Sequence, residues 1–120
     1  MFEIESSWTP AHQAVESDDH ATLTRLLDEG ADVNEVCCEM TLLMHAIDQE
    51  GDSALQSGKP TDSALTAIVL AYGADPLATL EGRKSAYELA QFYDHGMAIR
   101  LLDRFTAGHG PVAEPLRTDF

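Results

Sequence analysis

Two cysteines stand side by side, Cys37 and Cys38, and five histidines, His12, His20, His45, His95 and His109, are spread along the chain. Thiolates and imidazoles are the usual ligands of zinc, and a structural zinc site shows as pairs such as C-x-x-C or H-x-x-x-H. Neither spacing occurs, so no metal and no other cofactor is expected. Asp48, Glu50 and Asp52 alternate as the first ligands of a calcium loop do, but Lys59 stands where that loop needs its bidentate glutamate. A cysteine nucleophile needs a neighbouring base and an electropositive setting; Cys37 and Cys38 lie instead between Glu35 and Glu39. Adjacent cysteines rarely close a relaxed disulfide, so the pair reads as two thiols in a reducing compartment, with a packing role in a hairpin. Asp18 and Asp19 would suit acid–base work, yet aspartate is an ordinary turn former. With no glycine-rich phosphate loop and no G-x-S-x-G elbow, the residues point away from an enzyme.

Charge points to a partner. The 120 residues carry a formal net charge of −14, and it is unevenly spread. Residues 1–58 hold 13 acids against one base, Arg25, whereas residues 59–120 hold eight acids against six bases. Such a chain lacks the basic stripe that a phosphate backbone or an anionic membrane surface requires, so neither nucleic acid nor membrane is expected as a partner. A basic protein would be steered towards it. The acidic start Met1–Glu5 has no signal-peptide order. The longest apolar stretch, around Ala64–Tyr72, is too short to span a bilayer. A soluble, cytoplasmic protein is expected.

The elements that must position these residues show as repeats. Gly30-Ala31-Asp32-Val33-Asn34 recurs as Gly73-Ala74-Asp75-Pro76-Leu77, each after an apolar helical stretch that glycine can stop in the left-handed conformation. Thr9-Pro10-Ala11-His12-Gln13-Ala14 reads as a capped helix start with proline at its first position. Thr41-Leu42-Leu43-Met44-His45-Ala46 and Ser85-Ala86-Tyr87-Glu88-Leu89-Ala90 repeat the register. Helix pairs are expected at 10–17 and 20–29, 42–49 and 62–72, and 85–93 and 96–105. Both Gly30 and Gly73 should follow a helix with positive φ.

These markers resemble the ankyrin repeat, whose signature is a T-P-L-H-x-A helix start and a G-A-D-V-N turn with a period of about 33 residues. Thr9 to Asn34 matches without a gap. The later units are degenerate: Met44 and Glu88 replace the signature histidine, and Pro76-Leu77 replaces Val-Asn. The resemblance implies an all-α stack of three helix pairs joined by short hairpin turns, with units at about 8–34, 35–77 and 78–105. The step from Thr41 to Ser85 is too long, which places an insertion at about 49–61 in unit two, outside the core. An irregular tail is expected over 106–120.

The resemblance further implies protein binding. Its partner-facing positions are the residue before each helix start and those in the hairpins and helix–helix turns. Here these are Trp8 and Met40, with Lys84 before Ser85; Trp8 and Met40 are expected to be exposed apolar anchors, Trp8 alternatively a lid on the first repeat, within an acidic and polar rim of Glu16, Ser17, Glu35, Glu39, Asp48 and Glu50. Small acidic proteins of this kind look like inhibitors, of the immunity-protein or antitoxin type, that mask a basic protein through the first two repeats. A structural adaptor subunit is the alternative. No small-molecule substrate is expected, because such a stack seldom closes a pocket.

Overall fold

A computed structural model describes residues 8–108. Met1–Ser7, His109 and the rest of the expected tail lie outside the described residues.

Among the described residues, six helices form three pairs. They are α1 (Pro10–Glu16) with α2 (His20–Asp28), α3 (Leu42–Ser57) with α4 (Ala64–Ala71), and α5 (Ala86–Phe92) with α6 (Gly96–Gly108). Between the first two pairs lies a minimal antiparallel hairpin, β1 (Val36–Cys37) and β2 (Met40–Thr41), with Val36 opposite Thr41 and Cys37 opposite Met40. Helix α3 packs on α1 and α5, and α4 packs on α2 and α6, so each pair lays its apolar stripe on the next. The core between the two rows is aliphatic and small, built from Val15, Leu23, Leu42, Ile47, Leu65, Leu70 and Leu102 with alanines at the closest approaches.

Local chemistry starts and stops these helices. The hydroxyls of Thr9, Thr41 and Ser85 accept from the backbone N–H three residues on, at 3.2, 3.1 and 3.1 Å. The Glu88 carboxylate reaches back to the Ser85 N–H at 2.8 Å and completes a capping box. That accounts for glutamate where the repeat signature has histidine. Gly30 and Gly73 follow α2 and α4 with φ of 104° and 101°. At each, the glycine N–H and the next N–H return to carbonyls of the last turn, Leu27 and Leu26 in one case and Leu70 and Val69 in the other, a Schellman stop. Asp18 and Asp94, at φ of 55° and 54°, end α1 and α5 with the same pair of bonds. Nothing lies within 4 Å of a Cβ built on Gly73. Gly73→Ala is therefore expected to lower stability by about 1 kcal/mol through the backbone alone, read from the urea midpoint.

Unit two departs from expectation. Helix α3 does not stop near residue 49 but runs 16 residues to Ser57, where Gly58 caps it at φ 73°. Most of the expected insertion, residues 49–57, is thus helix, and Glu50 and Gly51 are buried. Helix α6 likewise continues past 105 to Gly108.

Candidate functional site

Two adjoining clusters carry most of the residues singled out from the sequence. The first is built on α1 and α3. His12 and His45 are both buried, with their Nδ1 atoms 2.9 Å apart and their rings stacked at 5.1 Å. His45 Nε2 meets a Glu16 carboxylate oxygen at 2.9 Å. The Trp8 ring lies tilted on His45, its centroid 4.9 Å away. Glu35 closes the cluster: its carbonyl faces His12 Nε2 at 3.5 Å, and its carboxylate accepts from the Thr9 hydroxyl. Trp8, Glu16 and Glu35 are thereby held by two histidines 33 residues apart. Ser17 stands beside them, exposed, accepting from the Gln13 side-chain amide at 3.0 Å.

Hydrogen-bond roles in this cluster follow from the carboxylate. Glu16 accepts from His45 Nε2–H, so a neutral His45 has only a lone pair at Nδ1, and His12 supplies the single proton shared between the rings. A second proton on His12 would enter the core. Burial, then the neighbouring His45, lowers the His12 pKa from 6.5 to about 4, partly offset by the Glu35 carbonyl. In the unfolded chain His12 takes up its proton near its ordinary value, so between the two values the unfolded state binds more protons and stability rises with pH. This contribution is whole above pH 6.5 and is lost as pH falls towards 4, about 3 kcal/mol in all. Urea midpoints of wild type and His12→Gln, measured from pH 7.5 downwards, should converge as the pH drops; parallel curves would refute this role.

The second cluster is a cleft of about 390 Å³ between the β1–β2 hairpin, α3 and the start of unit three. Met40, Met44 and Leu89 give it apolar surface. Two acids, Glu39 and Asp48, and two bases, Arg83 and Lys84, line it as well. Arg83 bridges to Glu39 at 3.2 Å. Asp48 accepts from the Tyr93 hydroxyl at 2.8 Å, and burial followed by this bond pushes the Tyr93 pKa well up. Lys84 lies over the Phe92 ring, 5.4 Å from its centroid, and Phe92 is 65% exposed.

Some expectations need correction. Trp8 and Met40, expected to be exposed, are half-buried: the Trp8 ring lies on His45, and Met40 lines the cleft with Met44 and Leu89. Glu50, placed on the rim, is buried at 4% exposure and turned inward, where it accepts from the Thr66 N–H and hydroxyl at 3.0 and 2.6 Å and bonds His95 Nε2 at 2.9 Å. Phe92 was missed, although the signal was present. It follows its cap by seven residues, as Glu16 and Asp48 follow theirs, and that spacing returns to one helix face. The other acidic pair is structural: Asp19 caps α2 by accepting from the Thr22 N–H and hydroxyl at 3.2 and 2.7 Å.

The paired helices, the repeated caps and the hairpin between units agree with one family. Residues 6–37 match the family model of the ankyrin repeat. The chain carries an ankyrin repeat there. No curated protein matches the chain. Ankyrin repeats are protein-binding modules and typically not catalytic. Both clusters include a residue that precedes a helix cap, Trp8 in the first and Met40 and Lys84 in the second. No helix among the described residues is long and apolar enough to cross a membrane.

Proposed function

We propose that this ankyrin-repeat protein is a small acidic inhibitor, of the immunity or antitoxin type, that masks a basic protein. The observation that carries this reading is charge beside apolar surface. Glu16 and Glu35 stand in the cluster of Trp8, Ser17 follows Glu16, Glu39 and Asp48 line the cleft with Met40, and the first half of the chain holds nearly all the excess acid. An apolar centre with a charged rim is ordinary interface anatomy. The first two repeats supply the main contact. The Lys84–Phe92 pair of unit three borders it and gives the partner an aromatic face at the edge of the cleft.

Association with a basic partner would be steered by this field and screened by salt. The partner is to be captured on the immobilised chain from the native cell and identified by mass spectrometry. Its association rate should then fall by about tenfold between low and physiological salt. Glu16→Lys and Glu39→Lys should slow association, with the exposed Glu81→Lys as the control of lesser effect. Trp8→Ala and Met40→Ala should act on dissociation. Association indifferent to salt and to these reversals would leave the charge a solubility device and remove the inhibitor reading. A chain that aggregates or unfolds when purified alone would favour the structural adaptor.

A further inference from the structure

Cys37 and Cys38 have no part in the binding reading, yet they occupy an unusual position. Successive side chains on a strand point to opposite faces, which would keep two neighbouring sulfurs apart. Here the sulfurs are 3.4 Å apart. The cause is the turn. Cys38 and Glu39 are the two loop residues between the paired Cys37 and Met40, and both have positive φ, 59° and 67°. That is the backbone of a type I′ hairpin turn, which favours Asn-Gly or Asp-Gly. A cysteine and a glutamate in those places are both strained, because a Cβ crowds the following carbonyl in the left-handed conformation. The left-handed turn brings the exposed Cys38 sulfur back onto the buried Cys37 sulfur.

We propose that Cys37 and Cys38 are a vicinal dithiol site, oxidised reversibly to a disulfide within the hairpin by an oxidised low-molecular-weight thiol, RSSR. The Cys38 thiolate attacks one sulfur of RSSR; the S–S bond breaks, RS⁻ leaves, and a Cys38–S–S–R mixed disulfide forms. Cys37, having given its proton to solvent, attacks the Cys38 sulfur and expels the second RS⁻. Two cysteine thiols lose two electrons and two protons, and RSSR becomes two RSH. Closure draws the sulfurs from 3.4 Å to about 2.05 Å across Cα atoms only about 3.8 Å apart, below the usual disulfide range. The turn must therefore reorganise, and the Cys37–Met40 pairing gives way. A strained disulfide of this kind is readily reduced again, as regulatory disulfides are. Glu39 and Met40, the next two residues, border the cleft, so oxidation would reshape the binding face. That last consequence rests on the binding reading; the dithiol chemistry does not.

The test uses the purified full chain and oxidised glutathione. The expected product has lost two hydrogens in mass, resists alkylation at both cysteines, and reverts with dithiothreitol. Phenylarsine oxide, which bridges paired thiols, should bind one per chain before oxidation and none after. Cys38→Ser should show neither closure nor arsenical bridging. Amide hydrogen exchange at Met40 and Thr41 should quicken by at least about tenfold on oxidation. A lasting glutathione adduct on Cys38 with Cys37 still open to alkylation, or a disulfide between two chains, would overturn the site. Closure with unchanged hairpin exchange would overturn its coupling to the cleft.

Discussion

Glu50→Ala is expected to destabilise the protein by about 4 kcal/mol, the largest effect of any single substitution considered. Three donors converge on this carboxylate: the Thr66 N–H, the Thr66 hydroxyl and His95 Nε2. His95 Nδ1 accepts from the Ala98 N–H at 3.3 Å, so its proton must sit on Nε2 and point at Glu50. Each bond also closes a helix end. Thr66 lies in the first turn of α4, whose N-cap Ser63 makes no side-chain cap bond, and Ala98 lies in the first turn of α6. A carboxylate at a helix N-terminus satisfies orphan N–H groups and opposes the dipole. Alanine would leave the donors buried without acceptors and open a cavity, and removing one partner of a buried charged network typically costs about 3–5 kcal/mol. Glu50→Gln fills the space but turns an amide N–H₂ towards one of the donors, so an intermediate loss of about 2 kcal/mol is expected. Urea unfolding followed by circular dichroism measures both. A loss under 1 kcal/mol for Glu50→Ala would show that the network adds nothing to the fold.

Gly51→Ala should be nearly as damaging, about 3 kcal/mol or more. A Cβ on Gly51 would lie 2.1 Å from Tyr93 Cγ, at the root of the ring rather than its mobile end. The ring cannot swing aside cheaply. Its hydroxyl is bonded to Asp48 on the same helix, and it meets Phe92 edge-on at 5.0 Å. Tyr93 is itself the C-cap residue of α5. The methyl would push units two and three apart, and overpacking of a close contact is as destabilising as a cavity. Tyr93→Ala removes the Cγ that the new methyl would strike, so in the Gly51→Ala background it should restore part of the loss. If it restores none, the clash is not the cause.

The repeat architecture was legible in the sequence because its determinants are local. A hydroxyl at a helix start reaches an N–H three residues on, and a glycine after a helix adopts positive φ at little cost. Thr9, Thr41, Ser85, Gly30 and Gly73 therefore announce their roles without knowledge of the rest of the chain. What stayed hidden depends on residues far apart. Glu50 follows Thr41 by nine positions, as Asp18 follows Thr9 and Asp94 follows Ser85. Where the two aspartates turn left-handed and end their helices, Glu50 stays helical, because Thr66 and His95 supply donors only a longer side chain can reach. No local rule says whether an acid at that position will stop a helix or enter the core. The binding face divides in the same way. Its acidic and apolar residue types were plain from register and charge. Which of them stand free, which lean on the His12–His45 pair, and how the strained Cys38–Glu39 turn brings two sulfurs into contact were decided only when the units stacked.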